Sequence, residues 1–284
     1  MSSESGFPKV AVIPVAGRGT RWRPITRSVA KELLPVWRRT SASYAFEEAV
    51  KAGVEEIIFV ISPEKHGVFE HFLRFDSSDL GGEFIDQTWK QLHERVKVRA
   101  CVQEESKGLG HAILCAEQDV AGRSFAVLLP DEVLMENGVK LLSAHTPAVL
   151  LMDIPIEQCC NYGMVKLADD GSGRVTDLIE KPSPSETPST LAVTGRYTFT
   201  AEIFDDLHQI KPGHNGEIQL TDAMQTYTKR HPIQGVIYRG TRHDVGQPLG
   251  LLTASLDYAL RDSEYADVVR ERVYKVLNGE QMSD

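Results

Sequence analysis

The sequence predicts an α/β fold organised on a largely parallel central sheet. Three observations predict it. The apolar run Val10 to Val15 lacks polar alternation, as a strand covered on both faces requires. A second such run, Ile57 to Ile61, follows a helix-patterned segment, so strand, loop, helix and strand form a right-handed βαβ crossover. At 284 residues and 42% hydrophobic content the chain can bury a large core, and no linker-like tract divides it, so 1–284 reads as a single domain.

Taken in order, the first strand empties into Ala16-Gly17-Arg18-Gly19-Thr20-Arg21. Two glycines let the backbone approach a ligand closely, and loop N–H groups make a concavity for phosphate oxygens. Arg21 and Lys31 add positive charge to the same mouth. A Walker A loop is excluded because no Gly-Lys-Ser/Thr follows, and a dinucleotide fingerprint because Trp22 carries bulk where a glycine is needed. The plain alternative is an ordinary glycine turn with surface cations. Thr40 or Ser41 caps a helix with apolar Ala45, Phe46, Ala49 and Val50, ended by Gly53. Lys65 to Arg95, with Gly81-Gly82 in its middle, reads as a helical excursion outside the sheet or a surface segment.

Val96 to Val102 is a strand that delivers Gln103, and the following loop reaches Gly108 before a helix over Ala112 to Glu117. Ligands of open α/β sheets sit beyond the carboxyl ends of strands, which places Gln103 and Gly108 where a base would lie. A glutamine amide offers donor and acceptor side by side, matching the imide edge of uracil or thymine. Ser124 to Leu129 is a strand ending in Pro130-Asp131-Glu132. A carboxylate there, facing phosphates, suits Mg²⁺, which takes one or two carboxylates plus phosphate oxygens; a turn aspartate is the plain alternative. Ala148 to Ile154 is a further strand.

From Asn161 the pattern turns antiparallel: Tyr162-Gly163-Met164-Val165, a turn over Asp169 to Gly173, then Val175 to Glu180. With the strand Val193 to Phe199 these elements form the pocket for a second substrate. Glu180 is suited to sugar hydroxyls and Lys181 to a phosphate, against the alternative of an exposed ion pair. Glu202 to Leu207 is a short helix, and Gly216 to Asp222 opens a longer one reaching about Lys229. Ile233 to Tyr238 is a strand, followed by His243-Asp244-Val245-Gly246. Asp244 is a second metal candidate, and His243 has a structural or hydrogen-bonding role. Leu249 to Leu260 and Tyr265 to Leu277 are closing helices.

The net charge of −9 disfavours nucleic acid or an anionic membrane as partner, so the cations near Gly19 are directed at a small anion. No apolar segment approaches the ~20 residues that span a bilayer, and Met1 to Lys9 lacks a signal-peptide core. Cys101, Cys115, Cys159 and Cys160 fit neither a zinc site nor a disulfide framework, so a reducing cytoplasm is the expected location.

The string G-x-G-T-R-x-x-P, followed by K-E-L-L-P, resembles the signature of the sugar-nucleotide pyrophosphorylases. PVAGRGTRWRPIT, KELLP, KAGVEEIIFV, KGLGHAILCA, PDEVL, YGMV, IEKP, GRYTF, GEIQLTDA and HDVG occur in the order and rough spacing of the bacterial UTP–glucose-1-phosphate uridylyltransferases. The thymidylyltransferases share the first loop and E-K-P. The resemblance implies a Rossmann-like, GT-A-like nucleotidyltransferase fold, a mixed, mainly parallel sheet with helices on both faces. It implies a sugar-binding portion at about 155–247 and C-terminal helices at about 248–278. Motif by motif, it implies that Ala16, Gly17, Gly19, Thr20, Gln103 and Gly108 bind the nucleotide. Arg21, Lys31 and Lys181 would handle phosphates, Gly163, Glu180 and Val193 would line the sugar site, and Asp131 with Asp244 would hold Mg²⁺. It also implies UTP and glucose-1-phosphate as substrates and a homo-oligomer, dimer or tetramer. A thymidylyltransferase, another sugar-1-phosphate nucleotidyltransferase and a weak, sugar-nucleotide-binding regulator are the alternatives. The chain departs from the family pattern at Arg38-Arg39-Thr40, where the family has Asp-Lys-Pro, and at Val245, where it has Cys. It also looks shortened between Asp131 and Ala148.

Overall fold

The computed structural model describes residues 6–73, 87–213 and 216–279. Its centre is a nine-stranded mixed sheet. Phe125–Leu128, Val10–Pro14, Glu56–Ile61 and Lys97–Val102 lie side by side and parallel, in that order, as the crossover pattern requires. The long strand Leu191–Phe199 runs antiparallel to Phe125–Leu128 and to Ala148–Asp153, and Gln234–Ile237 pairs parallel with the latter. Gly163–Leu167 and Val175–Glu180 form the antiparallel hairpin at the far edge.

Side chains alternate along each strand, and here both faces are covered. Val10, Val12, Ile58, Val60, Phe125 and Val127 join one core with the helices Leu109–Cys115, Ile203–Leu207 and Leu220–Tyr227. Ala11, Ile13, Ile57, Phe59, Ala126 and Leu128 join another, under Ser41–Ala52 and His66–Leu73. Each fully buried Val, Ile or Phe contributes ~1.5–3 kcal/mol of transfer free energy, so these two layers hold the sheet rigid behind its carboxyl ends.

Several boundaries differ from expectation. Glu132–Leu134 forms a short strand that pairs antiparallel with Arg242–Asp244, a ladder too brief for a periodic signal. The helix after Gly108 starts at Leu109, ahead of Ala112. Glu217 to Gln219 is not helical: Ile218 hydrogen-bonds to Lys107 and Gly110 instead, and the helix begins at Leu220. The excursion after Lys65 contains helices His66–Leu73 and Gln87–His93, while Gly81-Gly82 lies outside the described residues. At the departure Arg38-Arg39-Thr40, a hairpin docks on the turn between the two C-terminal helices, Trp37 Nε1 donating to Asp262 at 2.8 Å and Arg38 pairing with Asp262 and Glu264, while Arg39 pairs with Glu47 of the helix Ser41–Ala52.

Candidate active site

The expected nucleotide loop closes the carboxyl end of strand Val10–Pro14. Gly19 adopts φ +61, where a side chain would be strained, and a Cβ there would come within 2.9 Å of Thr26 Cγ2. Thr26 Oγ1 in turn donates to the Gly19 carbonyl at 2.8 Å. Lys65 braces the loop from behind, its Nζ donating to the carbonyls of Val15 and Gly17 and to Glu32 Oε2. A peptide's N–H points opposite to its C=O, so this brace turns the N–H groups of Ala16 and Arg18 away from Lys65.

Arg21, Lys31, Asp131 and Asp244 converge on this mouth. Lys31 Nζ lies 2.6 Å from Asp131 Oδ2, and Arg21 Nη1 lies 4.0 Å from Asp244 Oδ2. A Cβ at Gly17 would touch Lys31 Cε at 3.7 Å, so the lysine stem runs under the loop. Burial alone would pull the Lys31 ammonium down, but Asp131, Glu32 and Asp244 carry it above its ordinary value. Burial likewise works to raise the Asp131 carboxyl, and Lys31 overrides it, holding that group below the usual range. Both therefore stay charged at neutral pH.

Backbone contacts unite these loops. Trp22, whose bulk excludes a dinucleotide fingerprint, donates from Nε1 to the Val245 carbonyl at 3.2 Å, and Val245 N–H donates to the Asp131 carbonyl at 2.8 Å. The two aspartates leave adjoining ends of the ladder in which Asp244 faces Glu132. A Cβ at Gly246 would lie 2.9 Å from Asp244 Oδ1 and 3.4 Å from Asp131 Oδ2. Two carboxylates flanking one bare glycine fit Mg²⁺, with phosphate and water oxygens left to complete its shell. Among the described residues no group of three His, Cys, Asp or Glu is arranged as a metal site.

The Asp131 loop is gripped from inside the molecule. Arg196, 0% exposed, donates to the carbonyls of Leu129 at 2.9 Å and Glu132 at 2.7 Å, on either side of Asp131. Its charge is met by Glu48, 8% exposed, at 2.7 Å. The other Glu48 oxygen accepts the Val139 N–H at 2.7 Å. Sequence reasoning missed both residues, since 148 positions separate them.

Gln103 and Gly108 are brought together, with a correction to the expected chemistry. Gln103 Nε2 donates to the Gly108 carbonyl at 3.1 Å and to His111 Nδ1 at 2.9 Å. The Gly108 carbonyl accepts only, which fixes the amide orientation and makes His111 Nδ1 the acceptor. The amide thus presents Oε1 alone, not a donor beside an acceptor. His111, unassigned in the sequence, is held below its ordinary pKa by burial and by Lys107, which keeps it neutral for this bond.

Gly163, Glu180 and Lys181 form a third group. Glu180 Oε1 lies 3.3 Å from Lys181 Nζ, and Oε2 accepts a 2.6 Å bond from Thr221 Oγ1. Lys181 has φ +47, and its N–H donates to Tyr162 O. Val193, on the neighbouring strand, is packed in the core. His243 is bound to Thr253 and Asp257, the structural role expected of it. Ala16 is buried beneath the loop, and Thr20 opens the short turn that carries Arg21.

Residues 10–261 match the family model described as nucleotidyl transferase. The chain is similar to the UTP–glucose-1-phosphate uridylyltransferase of Bacillus subtilis (strain 168), with 36% identity over 96% of this chain and 98% of the relative. Among solved structures, a UDP-glucose pyrophosphorylase complexed with UDP-glucose superposes with a TM-score of 0.84 at 32% identity, covering 90% of this chain and all of that one. The UTP-bound UGPase from Acinetobacter baumannii gives 0.82 at 30% identity, over 95% and 99% of the two chains.

Proposed function

The chain belongs to the nucleotidyl transferase family, and from that premise we propose that it is a UTP–glucose-1-phosphate uridylyltransferase, making UDP-glucose and pyrophosphate. The observation that carries this reading is the convergence of Lys31, Asp131, Arg21 and Asp244 on a glycine loop. Relatives named for this activity align over nearly the whole chain.

The reaction is a direct displacement. A phosphate oxygen of glucose-1-phosphate attacks the α-phosphorus of UTP, and a new P–O bond forms as the bond to the β-phosphate breaks. The bonding pair leaves with pyrophosphate. No covalent enzyme intermediate is needed, because positioning and charge stabilisation carry phosphoryl-transfer catalysis. Arg21 and Lys31 offset charge on the leaving pyrophosphate, and the loop N–H groups near Gly17 and Gly19 hold phosphate oxygens. Mg²⁺, held by Asp131 and Asp244, would neutralise phosphate charge as a Lewis acid. Gln103 Oε1 accepts from N3–H of uracil, with the Gly108 backbone beside it. Lys181 holds the sugar phosphate, Glu180 accepts from sugar hydroxyls, and Gly163 and Val193 shape the wall.

We further expect a homo-oligomer, dimer or tetramer, supported by exposed Leu249, Leu252, Tyr274 and Leu277 on the two C-terminal helices. A cytoplasmic location accords with four free cysteines, and no helix among the described residues is long and apolar enough to cross a membrane. Incubation with UTP and glucose-1-phosphate tests the function. UDP-glucose and pyrophosphate should appear in equal amounts, and consumption of UTP to UMP without UDP-glucose would refute the transfer.

A further inference from the structure

The segment GEIQLTDA has no part in the chemistry above, yet it touches two of the three site groups. At one end Ile218 N–H donates to the Lys107 carbonyl at 2.7 Å, and the Ile218 carbonyl accepts from Gly110 N–H at 2.9 Å. This zips the segment to the loop that carries Gly108, where a Cβ would strike the Ile218 carbonyl at 2.7 Å. Three residues on, Thr221 Oγ1 donates to Glu180 Oε2 at 2.6 Å. The helix Leu220–Tyr227 is stapled to the same strand a second time, Gln225 Oε1 accepting from Leu178 N–H at 2.8 Å.

Thr221 is 8% exposed, so its hydroxyl serves Glu180 rather than solvent. Gly163 leaves this pair uncovered: a Cβ there would lie 3.1 Å from Thr221 Oγ1 and 3.2 Å from Glu180 Oε2. A glutamate has three side-chain torsions, and a carboxylate held at both oxygens, by Thr221 and by Lys181, loses that freedom before any ligand arrives. We propose that Thr221 is a positioning residue that sets the orientation of Glu180 toward the sugar hydroxyls. Through Ile218, the same strap registers that carboxylate against the base-reading loop. The inference rests on Glu180 being the sugar-binding carboxylate.

The test compares Thr221→Val, which keeps shape and removes the hydroxyl, with Thr221→Ser, which keeps the hydroxyl, and with Glu180→Gln. Initial rates are measured against UTP, glucose-1-phosphate and its C4 epimer galactose-1-phosphate. Thr221→Val should raise KM for glucose-1-phosphate about tenfold and lower the glucose-over-galactose ratio of kcat/KM by a similar factor, as loss of one bond to a charged group predicts. KM for UTP should stay within about twofold, and Thr221→Ser should restore both sugar readouts. An unchanged sugar KM and epimer ratio in Thr221→Val, with Glu180→Gln impaired, overturns the role of Thr221 and leaves that of Glu180 intact. If Glu180→Gln is also unimpaired, the sugar-site reading itself fails. Equal rises in both KM values with a lower melting temperature, in Val and Ser alike, would reduce Thr221 to a structural residue and overturn the inference.

Discussion

The grip on Asp131 makes a separable prediction for stability and for rate. Arg196→Met leaves Glu48 as a buried carboxylate whose remaining partner is the Val139 N–H. Breaking a buried pair from one side costs ~3–5 kcal/mol. At ~2–4 °C per kcal/mol for chains of roughly this size, the melting temperature should fall by ~6–20 °C. Adding Glu48→Gln removes the stranded charge and keeps an acceptor for Val139, so the double variant should melt above Arg196→Met. It should still melt below the parent, because the Leu129 and Glu132 carbonyls have lost a donor at ~1–3 kcal/mol each. Below its transition the double variant should nevertheless turn over ~100-fold more slowly, the cost of displacing a reacting group by about 1 Å. Thermal melts by circular dichroism and initial rates of pyrophosphate release read the two effects apart. A double variant that is folded and within about twofold of the parent kcat would refute the positioning of Asp131 through its flanking carbonyls. An Arg196→Met variant no less stable than the double would refute the stranded charge.

Other expectations follow from the remaining contacts. Lys181→Ala should raise KM for glucose-1-phosphate ~10- to 100-fold and KM for UTP far less, and equal changes in both would sink its phosphate role. His111 is held neutral in the fold, so the native state binds fewer protons than the unfolded chain. Its contribution is therefore present above the ordinary value of 6.5 and is lost as pH falls through the lowered folded pKa. UDP-glucose, which does not itself titrate there, should bind more weakly in that acid range by calorimetry; His111→Leu should flatten the profile, and a parent profile already flat to pH ~5 would contradict the Gln103 contact. Burial pushes the Cys101 thiol up to about 12, whereas Cys160 is exposed. Iodoacetamide at neutral pH should thus label Cys160 and spare Cys101 in the native protein, with mass spectrometry of the peptides as the check.

The strands of the parallel core were legible because burial on both faces writes continuous apolar runs such as Val10 to Ile13 and Ile57 to Ile61. The convergence of the glycine loop with Arg21 and Lys31 was legible because these residues lie close in sequence. What escaped reading depends on contacts that no local period encodes. Arg196 and Glu48 meet across the fold, and Lys65 reaches back to Val15 and Gly17. The stretch Gly216 to Gln219 resembles a helix start, but Ile218 within it spends its hydrogen bonds on Lys107 and Gly110. Gln103 was placed correctly at the strand end, yet its donor proved committed to Gly108 and His111, a fact of tertiary packing. Arg38 and Arg39, which break the family pattern, find partners in Glu47, Asp262 and Glu264, and Lys31 stays in register with Asp131.

The most direct measurement is pyrophosphate release in Mg²⁺, crossing UTP, dTTP, CTP and ATP against glucose-1-phosphate, galactose-1-phosphate and N-acetylglucosamine-1-phosphate. The account predicts a dominant signal from UTP with glucose-1-phosphate, abolished by EDTA and by Asp131→Ala. Silence from every pair, with UDP-glucose still binding by calorimetry, would contradict it and make the chain a sugar-nucleotide-binding regulator.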